Sequence, residues 1–191
     1  MSSAALDVRP LAPLADVLLI TNKVHGDARG FFLESFNAKT FQQATGLSPQ
    51  FVQDNHSRSN KGVLRGIHYQ LPPHAQGKLV RVVRGAVFDV AVDLRRSSPT
   101  FGQWAGCILR DTGGEMLWIP PGFGHAFLVL EDGTDFVYKT TDFYAPQSEA
   151  AVAWNDPDIG IRWPSEIAVS ALQLSDKDRQ APLLKSARVF D

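Results

Sequence analysis

Lys78-Leu79-Val80-Arg81-Val82-Val83-Arg84, Gly85, then Ala86-Val87-Phe88-Asp89-Val90-Ala91-Val92-Asp93-Leu94 is the stretch that decides the fold. Both runs are β-branched and apolar, the composition of strands with buried faces. Arg84-Gly85 between them reads as a tight turn joining two strands. Similar short runs follow outward in both directions: Val17 to Asn22, Gly30 to Ser35, Trp104 to Arg110, Glu115 to Ile119, His125 to Leu130 and Thr134 to Thr140. Each is bounded by Gly, Pro, Asp or Ser. Many short strands at such spacing predict a mainly β sandwich or barrel.

Helical signals are few. Asn37 to Thr45 is one candidate, with Asn37 as N-cap and Gly46 just past its end. Ser175-Asp176-Lys177-Asp178 reads as a capping box opening a short helix. No repeat, low-complexity tract or linker divides the chain. A single domain over residues 1–191 is expected, its barrel core at roughly 50–145. Hydrophobic residues at 44% and charged ones at 20% predict a globular chain rather than a disordered one. A net charge of -1 gives no general attraction to nucleic acid or anionic membranes. The lone Cys107 excludes an internal disulfide and fits a reducing compartment. Near the N-terminus the longest apolar run, Val17 to Ile20, is too short for a signal peptide or membrane span. Cytoplasmic location, with no nucleic-acid or membrane partner, is the expectation.

The chemistry concentrates in Leu64-Arg65-Gly66-Ile67-His68-Tyr69-Gln70 and Gln76-Gly77-Lys78. His68 can exchange a proton near neutral pH, and Arg65 and Lys78 add positive charge. A base beside cations suits removal of a proton from carbon next to a carbonyl, with stabilisation of the resulting oxyanion. Farther along, Pro120-Pro121-Gly122-Phe123-Gly124-His125 sets a histidine at a strand start behind a Pro-Gly turn. A histidine that merely caps a turn would give the same pattern.

That second stretch resembles the second motif of the cupin superfamily, a jelly-roll barrel. The first cupin motif carries two histidines one residue apart and then a glutamate. Here the matching place reads His68-Tyr69-Gln70, without the second histidine. His68 and His125 alone are too few donors for a metal, so none is expected. The whole pattern resembles the dTDP-4-dehydrorhamnose 3,5-epimerase family, which implies chemistry without a cofactor. The matching segments run in order from Gly26-Asp27-Ala28-Arg29-Gly30-Phe31-Phe32 and Glu34-Ser35-Phe36 through Phe51 to Ser57 and Gly62 to Gln70. They continue through Gln76 to Arg81, Phe88 to Asp93, Ser98 to Gly102, Trp118-Ile119-Pro120, Val137 to Thr141 and Lys177-Asp178. One departure is Gly124-His125-Ala126, where the family usually has Ala-His-Gly.

The resemblance implies a cupin-type jelly roll with a few short helices, probed by a small dTDP-sugar substrate bearing a ketone at C4. It implies His68 as base, paired with Asp178, although Asp176 is a nearby rival and a helix start alone would explain Asp178. Lys78 is implied at the C4 oxygen, although a strand lysine facing solvent is the ordinary case. Tyr138 is implied as the acid on the far face, in a site expected to favour its phenolate. Arg29, Glu34, Gln53, Asp54, Asn55, Arg65, His125 and Glu149 match substrate-contacting positions, and Tyr144 the ring that stacks on thymine. Arg29 and Glu34 would equally read as a surface ion pair. A homodimer is implied too, with N-terminal strands covering sheet edges. Rival readings are an epimerase acting at one carbon, a metal-dependent cupin and a non-catalytic sugar-binding cupin.

Overall fold

The computed structural model describes residues 6–191. Its strands are β1 (Asp7–Leu11), β2 (Leu14–Thr21), β3 (His25–Asp27), β4 (Gly30–Phe32), β5 (Gln53–Ser59), β6 (Leu64–Gln70) and β7 (Lys78–Arg84). Then come β8 (Ala86–Asp93), β9 (Trp104–Arg110), β10 (Glu115–Ile119), β11 (Phe123–Val129), β12 (Thr134–Thr140) and β13 (Glu149–Ala151). Two α-helices, α1 (Ala38–Thr45) and α2 (Asp176–Arg179), join three short 3-10 turns.

The strands form two main antiparallel sheets in the orders β1-β2-β10-β7-β12-β5 and β13-β6-β11-β8-β9. Strands β5 to β12 divide between them into the two four-strand rows of a jelly roll, so the expected cupin-type fold is what the chain adopts. The N-terminal strands β1 and β2 extend the first sheet beside β10.

The tight turn expected at Arg84-Gly85 is present, and it joins two sheets. β7 and β8 are both strands, yet they belong to different sheets, so Arg84-Gly85 is a corner and not a hairpin. Gly85 turns it at φ 80° with no room for a side chain: a Cβ there would lie 2.4 Å from the Thr134 hydroxyl oxygen. A local pattern of two apolar runs around a glycine looks the same in either case.

β8 is apolar on both faces because both are covered. Val87 and Ala91 face the inter-sheet core with Val80, Val82, Leu117, Phe127 and Phe136. Val90 and Val92 face outward, under Ile159, Leu184 and Phe190 of the C-terminal segment. Such two-sided burial removes the usual polar alternation. The outer face of the first sheet is partly closed by α1, whose Phe41 packs with Ile20, Leu79, Met116 and Trp118.

Helix α1 begins as expected, the Asn37 side chain accepting from the Lys39 and Thr40 amides. It ends at Gly46 in the left-handed conformation, φ 74°. Predicted strands Gly30 to Ser35 and His125 to Leu130 differ at their ends: β4 stops at Phe32 and β11 begins at Phe123. β5 carried no strand signal, for a reason that the cavity supplies.

Candidate active site

A cavity of about 620 Å³ opens between the two sheets at one end of the barrel. β6 of one sheet contributes Arg65 and His68; β7 and β12 of the other contribute Lys78 and Tyr138. His125 enters from β11, opposite His68 in the strand register. α2 closes one side with Lys177 and Asp178. An adjoining space of about 240 Å³ shares His68, Lys78 and Tyr138 and adds Gln53, Gln70, Tyr144 and Glu149.

β6 and β11 approach closely where His68 and His125 meet. Gly66 has φ 120°, and a Cβ on it would lie 2.5 Å from the Ala126 Cβ. The β6–β11 register shifts between His125 and Phe127. On the other side of His125, a Cβ on Gly124 would lie 2.3 Å from Ile67. The order Gly124-His125-Ala126 therefore matches its packing, with Gly124 over Ile67 and the small Ala126 against Gly66.

The imidazole Nε2 of His68 lies 2.6 Å from Oδ1 of Asp178. The contact joins Nε2 to the carboxylate. It leaves the other ring nitrogen available to a substrate proton. Asp178 is buried, while Asp176 is exposed one turn edge away. Asp178 also accepts from the Gly66 amide at 3.2 Å and the Ser175 hydroxyl at 2.6 Å. Burial pushes its carboxyl up, but the bonds from His68, Ser175 and Gly66 outweigh this and hold it at about 2. The capping-box serine thus does two things: it caps α2 through the Asp178 amide and donates to the Asp178 side chain.

Lys78 does not face solvent. Its ammonium reaches the His68 carbonyl at 3.4 Å. Burial pushes its pKa down to about 8, against the pull of Asp89 and Glu149. Below it, Nε2 of His125 lies 3.0 Å from the buried Asp89 carboxylate. Burial pushes Asp89 up and His125 down, each against the pull of the other.

Tyr138 departs from expectation. Burial raises its pKa, and although Arg65 pulls the other way, the net direction is upward. The site favours the neutral phenol, the form that can donate a proton, and not the phenolate.

β5 lines the cavity by alternation. Gln53 and Asn55 turn inward. Asp54 cannot follow them, because successive residues of a strand face opposite ways. It is exposed on the outer face, bonded to Lys139 at 2.9 Å, so the structure does not bring it to the cavity. Since the inner face of β5 meets a polar cavity instead of the core, it lacks the apolar alternation that marks a strand.

Neither Arg29 nor Glu34 lines this cavity. Arg29 sits on the β3–β4 hairpin, 89% exposed in its side chain, and pairs with Asp27 rather than Glu34. The remaining expected positions converge: Tyr144 donates its hydroxyl to Glu149 at 3.2 Å, and Arg65 donates to Ser59 at 3.1 Å. Lys177, which sequence reasoning left without a role, forms a close ion pair with Glu149 and lines the cavity. Its signal was available: it lies beside Asp178 at the start of a capped helix. Among the described residues, no three His, Cys, Asp or Glu side chains gather as a metal ion would need. No described helix is long and apolar enough to cross a membrane.

Fold and cavity together define a cupin jelly roll with titratable groups gathered at its mouth. The family model described as dTDP-4-dehydrorhamnose 3,5-epimerase matches residues 12–186. A dTDP-4-dehydrorhamnose 3,5-epimerase of Shigella flexneri is 57% identical over 86% of this chain and 89% of its own. One from Pseudomonas aeruginosa is 54% identical over 93% of this chain and 96% of its own. Among crystal structures, a dTDP-6-deoxy-D-glucose-3,5-epimerase from Legionella pneumophila in complex with dTDP-4-keto-L-rhamnose superimposes with a TM-score of 0.89 at 49% identity, covering 95% of this chain and 94% of that one. The chain belongs to the dTDP-4-dehydrorhamnose 3,5-epimerase family.

Proposed function

We propose that this protein inverts C3 and C5 of dTDP-4-dehydro-6-deoxy-D-glucose, giving dTDP-4-dehydro-L-rhamnose, with no metal or cofactor. The ketone at C4 acidifies both neighbouring carbons and serves as the electron sink. The observation that carries the reading is a histidine–carboxylate pair on one wall of a cavity with a neutral tyrosine on the facing wall. His68 takes the proton through its free ring nitrogen, and Asp178 stabilises the imidazolium. Lys78 stabilises the enolate oxygen from a half-buried position in the cavity wall, where its charge counts for more than in water. Tyr138 returns a proton from the opposite side, inverting the carbon. Arg65 and Lys177 suit the diphosphate, and the exposed Tyr144 ring suits stacking on thymine. Gln53, Asn55, His125 and Glu149 complete the substrate contacts.

Turnover of the dTDP-4-keto sugar in deuterium oxide tests this. Label at both C3 and C5 of the product is expected. Label at one carbon alone would leave a single-carbon epimerase, and no exchange with retained ligand binding would leave a sugar-binding protein.

A homodimer is part of the proposal. The β3–β4 hairpin exposes Phe31 and Phe32, at 69% and 71%, beside Arg29. Arg29 and Glu34 do not line this chain's own cavity, so their role in substrate binding is assigned to the cavity of a second copy. Light scattering should give twice the chain mass, and Phe31→Ser with Phe32→Ser should shift it toward the monomer. A wild-type monomer at micromolar concentration would remove this part of the proposal. The cytoplasm is the proposed location, supported by the free thiol of Cys107.

A further inference from the structure

Gln70 stands where the cupin metal pattern would put its second histidine, and its side chain is fully engaged elsewhere. It is 4% exposed. Its amide nitrogen donates to the His74 carbonyl at 2.8 Å and the Phe143 carbonyl at 3.1 Å. Its amide oxygen accepts from the Ala145 N–H at 2.9 Å. Two of these three bonds grip the backbone immediately before and immediately after Tyr144. The amide of Tyr144 itself is held by Gln53 at 3.0 Å.

Tyr144 is 56% exposed, on a loop between β12 and β13. An exposed ring on a loop loses conformational freedom when a ligand orders it, and that loss subtracts from affinity. A buried side chain that clamps both flanks removes most of the loss beforehand. Glutamine suits the task because its one acceptor and two donors match one N–H and two carbonyls. A histidine offers one donor and one acceptor when neutral and could not satisfy all three.

We propose that Gln70 is a positioning residue for nucleotide binding, presetting the Tyr144 ring for the thymine base. The proposal rests on the stacking role given to Tyr144. It assigns Gln70 to affinity and not to proton transfer, although His68 is only two residues away on the same strand face.

The test uses the full-length protein with dTDP as probe, by titration calorimetry, together with steady-state kinetics. Gln70→Leu removes all three bonds at similar volume. It should weaken dTDP binding and raise KM about five- to tenfold, with a smaller effect on kcat, as expected for one mobile aromatic side chain. In a Tyr144→Ala background the same substitution should cost little, because the ring it positions is gone. Gln70→Glu adds a second readout should the leucine variant fold poorly. As a carboxylate it repels the two carbonyls; once protonated, it donates to one of them and still accepts from Ala145. Its dTDP affinity relative to the wild type at the same pH should recover as pH falls.

Loss of affinity in Tyr144→Ala with none in Gln70→Leu would overturn the proposal and leave stacking intact. Equal losses from Gln70→Leu with and without Tyr144 would overturn it too, showing that Gln70 acts elsewhere. Unchanged affinity in Tyr144→Ala would overturn the stacking reading and this proposal together. A pH-independent deficit in Gln70→Glu counts against the clamp.

Discussion

Replacing Asp178 by asparagine tests the centre of the proposed chemistry. The variant keeps the volume, and its one amide oxygen can still accept from either the Gly66 amide or the Ser175 hydroxyl, which meet different oxygens of the carboxylate. It removes the charge that faces His68 at 2.6 Å. Asp178 is held at about 2, against 3.8 for an ordinary aspartate, a difference worth about 2 to 3 kcal/mol. Were that stabilisation felt fully by the imidazolium as the proton moves, its loss would slow the reaction roughly 30- to 150-fold. Loss of the ring's fixed orientation and tautomer adds to this, so kcat/KM should fall about 10²- to 10⁴-fold. The assay is deuterium washing into C3 and C5, followed beside dTDP binding. Exchange should slow at both carbons equally while dTDP affinity stays near wild type. Exchange within a factor of about three of wild type would refute the pairing, because an electrostatic partner at this distance cannot be that dispensable. Stability follows the same linkage. A carboxyl lowered in the fold contributes above its unfolded value, so the advantage of wild type is present above 3.8 and is lost as pH falls toward 2.

Three further outcomes are expected. Tyr138→Phe should keep deuterium exchange measurable while inversion falls by about 10²-fold or more; equal inversion by the two proteins in a product-stereochemistry assay would remove the acid role. Lys78 titrates at about 8, being cationic below that value and neutral above it, so kcat/KM should decline on the alkaline side; in Lys78→Arg that limb should move to higher pH, and an unmoved limb would assign it to another group. Gly66→Ala would set a Cβ 2.5 Å from that of Ala126 at a positive φ, costing about 2 to 3 kcal/mol of stability. Ala126→Gly should recover little of this in urea unfolding, because the Ala126 Cα and the His125 carbonyl oxygen lie 2.6 Å from the same position, and a midpoint unchanged by Gly66→Ala would contradict the close approach.

Legibility in this sequence tracks what each segment packs against. Trp104 to Arg110, Glu115 to Ile119 and Thr134 to Thr140 read correctly because their apolar residues face a core. Both helix starts read correctly because Asn37 and Ser175 cap locally, needing no distant partner. β5 did not read as a strand, since Gln53 and Asn55 look into a polar cavity. The exposed side of Asp54 was legible from alternation once β5 is a strand. The corner at Gly85 was not, for a turn within a sheet and a turn between sheets impose the same local chemistry. Gln70 was legible only as an absence, a missing histidine. Its actual bonds reach His74, Phe143 and Ala145, the last two more than 70 residues away.

The same switching between sheets occurs from β6 to β7, where it bears on the reaction. Inversion needs a proton taken from one face of a carbon and one delivered to the other. Side chains from a single sheet approach a bound sugar from one side only, so one sheet alone could support exchange but not inversion. The jelly roll sends β6 and β7 into opposite sheets, and β12 lies beside β7. His68 therefore stands on one wall, with Lys78 and Tyr138 on the other. The ketone oxygen and the returning proton are then met from the wall facing the base. A variant that keeps every one of these residues but loosens the spacing of the two sheets should lose inversion before it loses exchange. Thr134→Ala, which removes the hydroxyl that meets the Ala86 backbone of the other sheet at 3.4 Å, is the mildest such change. Its ratio of inversion to exchange should fall below that of wild type, and an unchanged ratio in a folded protein with lowered stability would separate sheet spacing from the stereochemical outcome.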